Sequence, residues 1–138
     1  MRDTSGNLYG VTELGGANGY GVVYKLDAEG TESVLLNFNG STGGRSPFDG
    51  LAMDAAGNLY GTTTGGGSGT GCDSAGCGVL FRLTTADREI VLHNFTLRSR
   101  TDGAYPYGGV VRDPSGNLYG TLGAGGAYGC GAVFKFTP

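Results

Sequence analysis

The sequence predicts an all-β fold built from β-propeller blades, and three observations predict it. The run Gly-Asn-Leu-Tyr-Gly occurs three times, at Gly6–Gly10, Gly57–Gly61 and Gly116–Gly120, each with an aspartate three residues ahead of it (Asp3, Asp54, Asp113). A second run recurs as Gly-Val-Val-Tyr-Lys-Leu (21–26), Gly-Val-Leu-Phe-Arg-Leu (78–83) and Gly-Ala-Val-Phe-Lys-Phe (131–136). Both runs are short, rich in Val, Leu, Tyr and Phe and bounded by Gly, Asp or Asn, which is the pattern of a strand, and no stretch carries a helical apolar period. Two further blocks occur twice, Val34–Phe38 against Val91–Phe95 and Pro47–Met53 against Pro106–Arg112. Self-similarity at this period marks a repeat architecture.

Each repeat is expected to hold four strands, A to D from the central axis outward. In the middle copy A is Leu51–Met53, B is Leu59–Thr63, C is Val79–Leu83 and D is Ile90–Phe95. The A–B connection, Asp54-Ala55-Ala56-Gly57-Asn58, fits a type I turn followed by a left-handed glycine, and Pro114 pre-sets the same turn in the third copy. Four strands joined up-and-down in roughly 50 residues make a propeller blade. The chain is therefore read as one array over residues 1–138, with blades at about 1–46, 47–105 and 106–138. The strand count is B-C-D, A-B-C-D, A-B-C, with Met1–Asp3 the remnant of a first A strand. Propellers close with about four to eight blades, so three make an arc. Copies are expected to meet flank to flank, giving a six-bladed ring from two or a filament; otherwise a longer array supplies the missing blades.

Composition narrows the partners. The formal net charge is -3 and no Lys/Arg cluster stands out, which argues against a nucleic-acid partner. No apolar run approaches the ~18 residues of a membrane-spanning helix. Glycine, at 30 residues, has no three-residue period, and 38% hydrophobic content argues against simple disorder.

Asp102-Gly103-Ala104-Tyr105-Pro106-Tyr107, and Gly-Asn-Leu-Tyr-Gly-Thr followed by Gly-Ala-Val-Phe-Lys, resemble the bacterial GloVer (Gloeo/Verruco) tandem repeat. The strand pattern is also similar to NHL-type propeller repeats. The resemblance covers essentially the whole chain and implies a propeller, an exported or surface-exposed setting and no particular activity. Met1–Asp3 lead straight into the first repeat and carry no export signal.

The internal copies separate scaffold from the rest. Eleven of the 14 aromatic residues fill slots shared between copies and are read as packing residues, among them the pair Phe48 and Tyr107. Tyr20, Tyr105 and Tyr128 are left over. The A–B turns are tight and alike, whereas the B–C loops (12–20, 64–77, 122–130) and D–A loops (39–46, 96–105) are long, differ between copies and share one face. Function on a rigid scaffold concentrates in such loops. The candidate binding residues are accordingly Glu13, Asn18, Tyr20, Arg45, Arg98, Arg100, Asp102, Tyr105 and Tyr128.

Catalytic signals are sparse. His93 is the only histidine and replaces Leu36 of the first copy; no Gly-x-Ser-x-Gly run supports a serine triad. The glycine-rich stretch Gly65–Gly71 lacks the Lys-Ser/Thr ending of a phosphate loop. Asp49, Asp73 and Asp102 lack the dense spacing of a calcium loop. Cys72 and Cys77 bracket an insertion absent from the other copies and are expected to bond to each other in an oxidising setting, leaving Cys130 without a partner. No catalytic residue, metal site or cofactor is expected. The reading is a non-enzymatic module, extracellular or surface-exposed, that binds a glycan or protein through its long-loop face or assembles through its flanks. The alternative is part of a lactonase- or lyase-type propeller enzyme.

Overall fold

The computed structural model describes residues 1–138 as an all-β chain of twelve strands with no helix. Three antiparallel sheets follow one another along the sequence. Sheet I holds β1 (Leu8–Thr12), β2 (Val22–Leu26) and β3 (Glu32–Asn37). Sheet II is a four-stranded meander of β4 (Ala52–Met53), β5 (Leu59–Thr63), β6 (Val79–Leu83) and β7 (Glu89–Asn94). Next in the chain is β8 (Gly103–Ala104); sheet III then takes β9 (Val111–Arg112), β10 (Leu118–Leu122) and β12 (Ala132–Phe136), with β11 (Ala124–Gly125) lying between the last two. A bridge between Arg2 and Leu8 sets the first residues where β4 and β9 lie in the other sheets. β5 and β6 coincide with the B and C strands expected from sequence, and β7 starts one residue before the expected D strand.

Local chemistry explains the meander. The N–H of Gly57 donates to the Asp54 carbonyl at 3.0 Å, Asp54 N–H to the Asn58 carbonyl at 3.0 Å, and Gly57 takes φ 86°. Equivalent bonds close the turns at Asp3 and Asp113. The glycine that opens the third strand of each repeat (Gly21, Gly78, Gly131) also has positive φ, and a Cβ there would collide with the carbonyl of Thr12, Thr63 or Leu122. β2–β3 and β6–β7 shift register at matching places, between Val23 and Tyr24 and between Leu80 and Phe81.

Strand alternation produces two cores, one on each side of sheet II. Val79, Phe81 and Leu83 of β6 face sheet I and join Val23, Phe38, Leu51 and Leu59. Leu80, between them, faces sheet III and joins Tyr60, Phe95, Val110, Leu118 and Leu122. Sheet II is thus covered on both faces, and every residue of β5 is buried. Phe38 meets Phe81 edge-on at 5.3 Å across the first junction, and Phe95 meets Phe134 at 5.1 Å across the second. Sheets I and III each keep one uncovered face, marked by Leu8 (45% exposed) and Val34 (49%) on the first and Val111 (67%) and Val133 (78%) on the last.

The long loops are more ordered than their sequence predicts. β8 and β11 pair antiparallel within stretches read as irregular, and an Arg45–Gly65 bridge ties the corresponding loops of the first two sheets. Gly125 makes the approach possible, because a Cβ there would stand 2.6 Å from the Gly103 Cα. Two residues of glycine and alanine carry no apolar alternation, so sequence holds no strand signal there.

Candidate functional site

The two ends of the sheets differ in kind. At one end each A–B turn is stapled by its aspartate. Asp54 Oδ1 accepts the N–H groups of Ala56 and Asn58, both at 2.9 Å, and Oδ2 accepts the Asn58 amide at 2.8 Å and the Tyr60 hydroxyl at 2.9 Å. Asp3 makes the same four bonds with Ser5, Asn7 and Tyr9, and Asp113 binds Asn117 and Tyr119 likewise. The Asn7 and Asn117 side chains are the main influence holding the Asp3 and Asp113 carboxyls below the ordinary range. Burial works to raise Asp54, and its hydrogen bonds outweigh it to leave this carboxyl low as well. Burial, reinforced by the adjacent carboxylate, raises the Tyr9 and Tyr60 hydroxyls. This end is scaffold.

The opposite end gathers the loops, and part of its polar chemistry is also scaffold. The Asn37 side chain accepts the Ala17 N–H at 2.6 Å and Asn94 accepts the Ser68 N–H at 2.7 Å, pinning two B–C loops. Asn18, a candidate contact residue, donates its amide to the Phe38 carbonyl at 2.9 Å. Asp102 Oδ2 accepts the N–H groups of Arg98 and Ser99 at 3.0 Å. The Thr96 hydroxyl, then these N–H groups, hold the Asp102 carboxyl low. Asp49 joins neighbouring repeats by accepting the Gly109 N–H at 2.9 Å.

The remaining candidates separate into two clefts. Tyr20, Arg45 and Tyr105 line one of about 360 Å³, together with Leu14, Asp73 and Tyr107. Arg98, Arg100 and Tyr128 line a shallower groove of about 610 Å³ with the glycines of the β11 loop. Glu13 is exposed and lines neither. Tyr105 differs from the other two loop tyrosines: it packs against the second core and holds φ 56°, as Ser46 does (φ 51°) at the matching place. Its N–H donates to the Cys77 carbonyl at 3.0 Å, and that of Ser46 to the Tyr20 carbonyl at 3.0 Å, so the unusual backbone belongs to the junction between repeats.

Sequence comparison between copies misplaced one aromatic pair. Phe48 and Tyr107 are 56% and 55% exposed, stacked edge-on at 5.9 Å, rather than core residues. Recurrence in two copies reflects their contact with each other across a junction, and Tyr107 also contributes to the first cleft. Asp73, in the inserted loop, has no counterpart in the other copies to mark it as a cleft residue, and its sequence context raises it only as a calcium ligand.

Cys72 and Cys77 form a disulfide with Cα atoms 5.4 Å apart; Cys77 is fully buried, while Cys130 is free and exposed. No group of three or more His, Cys, Asp and Glu side chains is placed to hold a metal ion. No helix is long and apolar enough to cross a membrane. His93 stacks edge-on with Phe95 at 5.0 Å, and partial burial lowers its imidazole against the opposing pull of Asp102.

Stapled turns at one end, variable loops at the other and three successive antiparallel sheets define an all-β tandem-repeat protein. The chain belongs to the Gloeobacter/Verrucomicrobia repeat family, whose model matches residues 1–138. No curated protein and no solved structure matches it.

Proposed function

We propose that the three sheets are blades of a β-propeller and that the module is a non-enzymatic glycan binder, exported or surface-exposed, working through its long-loop face. One observation carries this reading: Tyr20 and Tyr105, left over when repeated aromatics are set aside, gather with Arg45, Asp73 and Tyr107 around one cleft. Aromatic faces offer stacking surface to a sugar ring, and the guanidinium and carboxylate offer directional partners to its hydroxyls. Its volume is within the roughly 300–1,000 Å³ usual for small-ligand sites. The propeller reading draws support from the four-stranded meander of sheet II and from the continuous stacking of I on II on III. On the same reading the uncovered flanks of sheets I and III meet other blades.

A glycan array run with and without added divalent cations tests this. Retention of a defined sugar is expected, with Tyr20→Ala and Arg45→Ala each weakening it about tenfold. Failure to retain any sugar overturns the glycan reading. Metal-dependent turnover of a lactone or uronate substrate would replace it with the enzyme alternative.

A further inference from the structure

The sheets are copies of one repeat, so a place where departures from that repeat collect stands apart from the scaffold. The antiparallel bridge between Arg45 and Gly65 ties the loops at the first junction, where Ala104 and Ala124 pair at the second. An arginine and a glycine thus stand in place of two alanines, and the two exchanges belong together. A Cβ on Gly65 would stand 2.9 Å from Arg45 Nε, so the half-buried side chain lies across a residue that has to be glycine. The insertion carrying Cys72 and Cys77, absent from the other copies, packs on the same spot. Its Ala75 carbonyl accepts the Gly66 N–H at 2.6 Å and would stand 2.8 Å from that Cβ. Tyr20 is a further departure, standing where the later copies have Cys77 and Cys130.

These exchanges leave a held cation among aromatic rings. Tyr20 rests against Gly40, and Tyr107 against Gly123, whose Cβ would stand 2.7 Å from the ring; both tyrosines stay exposed. Arg45 is the one cation lining the cleft and Asp73 the one acid. Asp73 Oδ1 is taken by the Ala75 N–H at 2.8 Å. Asp49, the acid nearest to Arg45 along the chain, is taken by the N–H groups of Gly50 and Gly109 at 2.6 and 2.9 Å. Neither they nor any other side chain accepts a hydrogen bond from the Arg45 guanidinium.

We propose that this cleft takes a sugar bearing one carboxylate, a uronate residue of an acidic glycan, and that Arg45 selects it, which rests on the cleft being a glycan site. The parallel N–H groups of a guanidinium match the two oxygens of a carboxylate and fix its orientation, as the point charge of a lysine would not. The tyrosine rings offer stacking surface to the pyranose that carries it. A phosphate monoester would bring about 1.5–2 negative charges to one cation beside an acid, so a singly charged group suits the cleft better.

The probes are tetramers of galacturonate, mannuronate and glucuronate, each beside its methyl ester, titrated into the full 138-residue chain by calorimetry. One acid form is expected to bind about tenfold tighter than its ester. That advantage should shrink in about 0.5 M salt while ester binding holds, since the ester has no charge to screen. Arg45→Ala installs the residue of the second junction, so the fold should be kept while acid and ester come to bind alike. Tyr20→Ala should weaken both and leave their ratio unchanged. Equal binding of acid and ester by the native chain, or a preference that survives in folded Arg45→Ala, overturns the proposal. A sulfated galactan fragment bound more tightly than every uronide moves the charge to a sulfate and also overturns it. Retention of neutral sugars alone removes the carboxylate and leaves the glycan reading standing, whereas retention of no sugar removes both.

Discussion

Asp54, Asn58 and Tyr60 make a closed hydrogen-bonded unit within seven residues of chain, and the same unit stands at Asp3 and Asp113. Sequence revealed the recurrence of the aspartate and its turn; the phenol's bond to the carboxylate emerges only when turn and strand bring them within reach. Tyr60→Phe removes that one bond and is expected to cost about 1 kcal/mol in urea unfolding, whereas Asp54→Ala strands several donors and should cost about 3 kcal/mol. Glu89 behaves oppositely to these aspartates. Desolvation raises its carboxyl from the ordinary 4.5 to about 7, and Oε1 has no hydrogen-bond partner. The folded chain therefore holds this proton more tightly than the unfolded chain. The stabilisation is complete below pH 4.5 and is lost as pH rises through about 7. Urea midpoints should rise as pH falls across that window, and Glu89→Gln should flatten the rise. Further acidification reverses the trend, because the low carboxyls of Asp3, Asp54 and Asp113 stabilise only while ionised. Identical pH dependence of the midpoint between 4.5 and 7 in the native and Glu89→Gln chains would contradict the burial of Glu89.

Strands were legible because period-two apolar runs and turn residues act locally; loops were legible only as loops. β5 and β6 could be placed from sequence to the residue, yet β8 and β11 could not, since their pairing depends on glycines from separate repeats meeting in space. The same limit applied to the candidate site. Tyr20, Arg45 and Tyr105 do converge, but Asp102 and Asn18 proved to be holding loops, a role fixed by backbone groups that sequence leaves unplaced. Repetition also misled for Phe48 and Tyr107, since a contact repeated on the surface leaves the same trace as one repeated in the core. These distinctions predict unequal responses. Tyr128, 94% exposed, should be replaceable by alanine with little change in melting, while Phe81→Ala, which empties a fully buried site between two sheets, should cost about 3–5 kcal/mol. Comparable losses would mean the loop tyrosine packs after all. In the inserted loop, peptide mapping of oxidised protein without reduction should yield Cys72 linked to Cys77. A Cys77–Cys130 linkage would contradict it, and reducing the native bond should cost no more than about 2–3 kcal/mol.

At the scale of the whole molecule, the exposed faces of sheets I and III are the two halves of a junction that the chain already makes twice. The outer face of sheet III carries Tyr119, Val133 and Lys135, in the places that Tyr60, Leu80 and Arg82 hold on the face of sheet II covered by sheet III. The outer face of sheet I carries Leu8, Tyr24, Leu26 and Val34, in the places of Leu59, Phe81, Leu83 and Val91, which pack against sheet I. One face therefore repeats the residue pattern that the other meets at the internal junctions, and contact between copies is expected to run head to tail. Three strands about 4.8 Å apart, each with about five residues rising about 3.3 Å, give a flank of roughly 240 Å². Covering it is worth up to roughly 6 kcal/mol at about 25 cal/mol per Å², comparable with the net stability of a domain. Head-to-tail contact would close into a ring if the rotation permits, two copies giving six sheets, and would otherwise continue as a filament. The 138-residue chain is accordingly expected to self-associate at micromolar concentration, with light scattering across a dilution series reporting a dimer for the ring or very large species for the filament. Val133→Lys charges the outer face of sheet III at a site 78% exposed, so it should disperse either assembly into folded monomers. A native chain that stays monomeric and unfolds cooperatively throughout that series would sink the head-to-tail contact, and unchanged assembly of folded Val133→Lys would place the contact on another surface.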